Sequence, residues 1–354
     1  MLDTGKPQYL AAAEILAERL RYGDYLVNAI PSTRKLAEEL KISHIVARKA
    51  VEKLLADGLC RRLENGRVVA SQRVQDASPQ RQLTVAMLFP AFASNYFHRG
   101  RIQIEKAAEK AGALFRPVNF VHWSDPMIAE TLRNFDGVFL FGSTEPLDPT
   151  AGRELINTQA RIVTVDFDLT HLKIPRIALF DAGIVRQLLD HLVSRGARRI
   201  ACLNTQPCDV ETTRRINVWR EYTTARGICG TLCNRPVRSY EDPAARACEV
   251  MREWLPKLDC DALFCTNETA AYGAGRALLD AGIRPGSGLK LCAIGDGGAA
   301  RFFSPSITCV EMPDARPLFE RALGWMGDKE RPWQGNLNVV PDNIPLFIGE
   351  STSD

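Results

Sequence analysis

The chain has 354 residues, 45% hydrophobic, 25% charged and 8% aromatic, which excludes a disordered, collagen-like or coiled-coil protein. No apolar run approaches the roughly 18 residues of a membrane span, and residues 1–10 lack the basic-then-apolar pattern of a signal peptide, so a cytoplasmic protein without a membrane partner is expected. The net charge of +3 is unevenly spread: residues 1–75 hold 13 Lys and Arg against 9 Asp and Glu, and the remainder 32 against 33. A basic head on a near-neutral body fits nucleic-acid binding by the head.

The head reads as three helices and a hairpin. Tyr9, Ala13, Leu16 and Leu20 fall on one face of a first helix. Ser32 is the expected N-cap of a second helix, with Leu36, Ala37 and Leu40 inward, and Ser43 that of a third, with Ala47, Ala50, Val51 and Leu54 as its apolar stripe. Lys41-Ile42 form the short turn between them, and Asp57-Gly58 ends the third helix. Residues 59–63 and 68–70 are β-prone and flank Asn65-Gly66, a strong hairpin signal. This is the order of a winged helix-turn-helix. Residues 71–82 are polar and aperiodic, which divides the chain into a head (1–72), a linker (73–82) and a body (83–350).

The body alternates. Apolar, β-rich runs at 83–89, 137–141, 162–165, 199–203, 262–265 and 289–294 are separated by helical patterns at 102–111, 184–195, 219–226, 244–255 and 270–281. Short, continuously apolar strands between helices indicate an α/β fold with mainly parallel sheets covered on both faces. About 270 residues exceed one such core, so two lobes are expected. The ten cysteines form no CxxC pair and have no His-rich partner, so they read as reduced core residues, with no metal or cofactor expected. Cys229 and Cys233 are the one pair worth a thiol titration.

Two resemblances follow. The stretches 30–37, 42–50 and 54–59 (IPSTRKLA, ISHIVARKA, LLADGL) resemble the DNA-binding head of the GntR family. The 176–200 unit, with Asp181 before a helix, then 265–273 (CTNETAAYG), Ile294-Gly295-Asp296 and 304–310 resemble the ligand-binding domain of the LacI family, which shares the type I fold of periplasmic sugar-binding proteins. A GntR head on a LacI-like body is the arrangement of arabinose-repressor-type regulators, and the chain is similar to that group.

On the third helix, His44, Ile45, Arg48, Lys49 and Glu52 share the outward face that meets base edges in a major groove. Arg48 has the geometry for two parallel bonds to a guanine edge. Ser43, with the helix N-terminal amides, suits a phosphate, and Arg61, Arg62 and Arg67 flank the wing. The resemblance implies a DNA contact for Arg34. It also shows departures: His44 stands where Arg is common, Ile45 and Val46 stand where Thr is common, and Lys35 replaces the Glu of the capping box.

In the body, the resemblance implies an interlobe cleft for a small polar effector, a carbohydrate by family. Residues entering it are Asn95, Tyr96 and Phe97 after the first strand, Asp166 and Phe167 after Val165, Arg215 ahead of the helix carrying Trp219, Asn267 and Glu268 after Cys265, and Asp296 after Ile294. Arg215 matches the arginine that clamps ligand hydroxyls and Asp296 the acceptor. Glu268 replaces the usual Asp and Met312 a common Gln, two departures that weigh against a plain pentose or hexose. Without a ligand, Asp166 and Asp296 are turn caps and Phe167 and Trp219 core.

The leading expectation is a ligand-responsive repressor that binds duplex operator DNA as a homodimer. An α/β enzyme is the alternative, but the chain has no GxSxG, P-loop or HExxH motif and no placed Ser/His/Asp set. A free solute-binding protein fits neither the basic head nor the absent signal pattern.

Overall fold

The computed structural model describes residues 7–21, 24–25, 29–71, 82–91, 94–180, 183–238, 241–295 and 298–353. Residues 72–81, nearly all of the expected linker, lie outside these, as do Asp181 and Asp296.

In the head, helices α1 (Gln8–Arg21), α2 (Thr33–Leu40) and α3 (His44–Ala56) precede an antiparallel pair, β1 (Cys60–Arg62) and β2 (Val68–Ala70). Ser32 accepts from the Lys35 amide and Ser43 from the Val46 amide, so each helix starts where a hydroxyl satisfies a free N–H. Lys35 therefore removes only the reciprocal half of the capping box. Lys41 ends α2 in the left-handed region (φ 52°), turning the chain into α3. The expected stripe of Ala47, Ala50, Val51 and Leu54 is buried against Leu16, Leu20 and Leu36 in a core of its own.

The body has two sheets. The first lobe carries β3 (Thr84–Pro90), β4 (Leu114–Phe120), β5 (Gly137–Phe141), β6 (Arg161–Val165), β7 (Arg176–Ile177) and β13 (Asn338–Val339), all parallel, in the order β13-β7-β6-β5-β3-β4. The second carries β8 (Ile200–Asn204), β9 (Leu232–Asn234), β10 (Ala262–Cys265), β11 (Lys290–Ala293), β12 (Thr308–Val310) and an antiparallel edge, β14 (Leu346–Phe347), in the order β14-β12-β11-β10-β8-β9. The chain crosses between lobes three times: after β7, after β12 and after β13.

Helices cover both faces, as the unbroken apolar strands require. One apolar core runs through both lobes under α4 (Asn95–Lys110), α7 (Gly183–Ser194), α8 (Val210–Ala225) and α11 (Arg316–Gly327). The opposite faces are closed by α5 (Pro126–Asn134) and α6 (Pro149–Asn157) in the first lobe, and by α9 (Pro243–Trp254) and α10 (Glu268–Asp280) in the second. Helices α5, α6 and α9 each start with an Asp N-cap followed by Pro, since Pro has no N–H to leave unpaired. At Gly273, a Cβ would stand 2.1 Å from the Ala244 carbonyl oxygen, so only Gly lets α9 and α10 approach this closely. The structure adds strands beyond the expected apolar runs, among them β4, whose Arg116-Pro117 breaks an apolar pattern; Pro is tolerated there because β4 is an edge. One sequence expectation is corrected. Helix α8 starts at Val210, not 219, so Arg215 lies inside it rather than ahead of it.

Candidate functional site

The segments following β6 and β10 and the first turns of α4 and α8 meet between the lobes. Tyr96, in the first turn of α4, donates its hydroxyl to Asp166 Oδ2 at 2.6 Å. Asp166 holds a left-handed backbone (φ 51°), which Asp tolerates better than most residues. This turns its Oδ1 toward the Leu179 and Phe180 amides at 2.6 and 3.1 Å. Burial pushes the Asp166 carboxyl above its ordinary value, opposed by the Tyr96 and Phe180 hydrogen bonds and by Arg176 and Arg215. Burial, then Asp166, raises the Tyr96 phenol well above its own. The Tyr96 ring packs on Phe97, Phe141 and Phe180 at 5.5–5.9 Å, forming an aromatic wall.

Beside this wall, four charged side chains bridge the lobes. Arg176 on β7 is 3% exposed; it reaches Asp168 at 3.4 Å and, across the cleft, Glu211 at 3.0 Å. Arg214, one turn along α8, meets Glu211 at 3.1 Å and Asp168 at 3.9 Å. Arg215 donates from Nη1 to the Thr266 carbonyl just beyond β10, at 3.0 Å. Burial raises Glu211, with Arg176 and Arg214 opposing. Burial acts the same way on Asp168, but the Thr170 hydrogen bonds and the two arginines outweigh it and hold Asp168 below its ordinary value. The Nε atoms of Arg176 and Arg215 are buried without a hydrogen-bond partner among the described residues.

Residues 189–322 match the family model of a periplasmic binding protein-like domain. The body has the periplasmic-binding-protein-like fold. Solved structures agree. The lac repressor dimer bound to operator and the anti-inducer ONPF is 17% identical, covering 81% of this chain and 99% of its own, with a TM-score of 0.63. The transcription regulator GntR from Chromobacterium violaceum is 22% identical over 76% and 99% (TM-score 0.63). The trehalose repressor from Escherichia coli is 21% identical over 75% and 100% (TM-score 0.59). Comparison with curated proteins gives no match.

Within this binding-protein-like body, Tyr96, Asp166 and Arg215 of the expected cleft residues come together. Phe97 is 7% exposed and belongs to the core. Phe167 stacks on Trp123 (5.5 Å, 22°) in the apolar layer of the first lobe's other face. Asn267 caps α10 by accepting from the Ala270 amide at 2.8 Å, and Glu268 packs beneath Gly295. Asp296 lies outside the described residues. Trp219 is buried and donates to the Ile200 carbonyl. Arg176, Glu211, Arg214 and Asp168 escaped sequence reading; the one local signal was an Arg opening a β-rich run. All ten cysteines are free; Cys229 is exposed and Cys233 half-buried. Among the described residues no group of three or more His, Cys, Asp or Glu is placed to hold a metal ion, and no helix is long and apolar enough to cross a membrane.

In the head, the outward face of α3 is open. Ile45 is 61% exposed; Arg48 is exposed and lies 3.5 Å from Glu52; Lys49 lies 6.0 Å from the Tyr9 ring. His44 shares a 2.8 Å hydrogen bond with Thr33, tying the starts of α2 and α3 together. Arg34, Ser43, Arg62 and Arg67 are exposed, and Gly66 makes the hairpin tip with φ 81°. Asp24 of the head pairs with Arg116 of β4 at 2.9 Å.

Proposed function

We propose that this chain is an effector-responsive, DNA-binding transcription regulator, a repressor working as a homodimer in the cytoplasm. Its head acts as a GntR-type winged helix-turn-helix: α3 enters the major groove with His44, Ile45, Arg48 and Lys49 toward bases, while Arg34, Ser43, Arg62 and Arg67 meet phosphates or the wing's groove. The observation that carries this reading is the joining, in one chain, of a three-helix-and-hairpin head with an exposed cationic α3 face to a two-lobed body with polar groups converging between the lobes. Its kinship in fold with a lac repressor caught on its operator supports it. The arrangement is that of arabinose-repressor-type regulators, with a small polar metabolite in the cleft. Such a metabolite changes operator affinity only by its differential affinity for two lobe arrangements. The test is a mobility shift of labelled duplex DNA from upstream of the gene. Binding that prefers this fragment and weakens steeply with salt is expected; a protein that shifts no duplex DNA refutes the proposal.

A further inference from the structure

Donors and acceptors in the interlobe cleft are unequally used. Asp166 accepts the Tyr96 hydroxyl and two backbone amides. Asp168 accepts the Thr170 amide and hydroxyl as well as Arg176. Glu211 accepts from Arg176 and twice from Arg214. These three carboxylates are occupied within the protein. Beside them, among the described residues, the Nε–H of Arg176 and the Nε–H of Arg215 are buried and without a hydrogen-bond partner. Arg176 is 3% exposed, so its guanidinium depends on partners inside the cleft rather than on bulk solvent, and the hydrogen bond Arg215 does make goes to a neutral carbonyl. A buried donor left unmade is costly, more so on a cation. A site that keeps two is built for an acceptor from outside.

We infer that the effector is an acid, and that its carboxylate or phosphate oxygens take the unpartnered Nε–H donors of Arg176 and Arg215. This rests on reading the cleft as the effector site. A neutral hydroxyl fills one donor but supplies no charge, whereas a paired oxyanion matches the planar guanidinium fork and forms shorter, stronger bonds. The half-buried Tyr96 ring beside the arginines, backed by the core rings of Phe141 and Phe180, offers an apolar face to the rest of a ring-shaped ligand. Seating an anion on Arg176 also competes with Glu211, which comes from the opposite lobe, so the same bond that binds the acid alters the bridge between the lobes.

The experiment titrates the full-length protein, by thermal shift and calorimetry, with three sets of probes. D-galacturonate and D-gluconate supply the carboxylate, D-glucose 6-phosphate supplies the phosphate, and D-galactose and D-glucose are the neutral parents. An acid that raises the melting temperature by about 4 °C or more where its neutral parent does not is the expected result; which arm responds identifies the oxyanion. The doubly neutral Arg176→Gln/Glu211→Gln variant removes both charges of the bridge together so that the fold is kept, and Arg215→Gln is made separately. Each weakens the acid by about tenfold or more. A neutral sugar binding as well as its acid, a panel in which no acid binds, or full acid affinity in both variants overturns the inference. A neutral sugar that releases DNA leaves the regulator reading standing, and failure to shift DNA defeats that reading without reference to these titrations.

Discussion

Arg48 in the head and Arg176 in the cleft are the same residue type, each beside a glutamate. The Arg48 side chain is 61% exposed and 3.5 Å from Glu52, one turn along its own helix. The Arg176 side chain is 4% exposed and 3.0 Å from Glu211 in the other lobe. Water and salt screen the first pair, so it adds little to the fold and leaves Arg48 free to exchange Glu52 for an outside acceptor. The second pair lies where a lone charge is expensive, so each partner is committed to the other and to the relation between the lobes. Burial, rather than residue type, decides which arginine is free to meet an outside acceptor and which braces the two lobes.

The comparison breaks most visibly at Glu211. Glu211→Ala leaves Arg176 with Asp168, shared with Arg214, as its one ion-pair partner among the described residues. Stability is expected to fall by about 3–5 kcal/mol, as when one member of a buried pair is removed. Urea unfolding followed by circular dichroism checks this. Replacing both partners, as Arg176→Met/Glu211→Leu, is expected to restore most of the loss. A loss below about 1 kcal/mol in the single variant, the level of a surface pair, erases the distinction drawn between the two arginines.

At Arg48 the expectation reverses. Arg48→Ala changes stability by no more than about 0.5 kcal/mol, as surface substitutions do. It weakens binding to the preferred DNA by about 1–3 kcal/mol and relaxes preference at one base pair. Mobility shifts with single-base operator variants read both effects. Unchanged affinity and preference would remove Arg48 from the groove.

The two regions also differ in how far their sequence reveals them. The head is legible because its signals are local. Ser32 and Ser43 cap the helices they precede, and the stripe of Ala47, Ala50, Val51 and Leu54 is what α3 buries. Two body strands, Gly137–Phe141 and Ala262–Cys265, coincide with their apolar runs, because a parallel strand covered on both faces is apolar throughout. Strand β4 hides behind Arg116-Pro117, and the first half of α8 behind the polar run Thr212, Thr213, Arg214 and Arg215, of which the two arginines reach into the cleft. Helices α5 and α6 carried readable Asp-Pro starts at 125–126 and 148–149. In the cleft, Tyr96, Asp166 and Arg215 were within reach of motif position. Arg176 was not, because its partner Glu211 is 35 residues away and on the other lobe; no periodicity encodes that pairing.

The smallest expected effect tests the bridge through protons. Asp168 sits below its ordinary value of 3.8 although burial alone would raise it, because Thr170, Arg176 and Arg214 favour its charged form. Its contribution to stability is therefore present above that ordinary value and lost as pH falls through the lower, folded-state value. Glu211 sits above its ordinary value of 4.5 because burial disfavours its charge, even against Arg176 and Arg214. The folded protein thus holds a proton there that the unfolded chain has released, and stability declines as pH rises from the ordinary value to the raised one. The two carboxylates of one bridge pull the pH profile in opposite directions. Asp168→Asn is expected to flatten the acid-side loss and Glu211→Gln the decline just above the ordinary glutamate range, read from urea midpoints between about pH 3 and 6. If both variants keep the slope of the parent, the bridge is as well solvated as Arg48–Glu52, and the contrast between head and cleft fails at its electrostatic root.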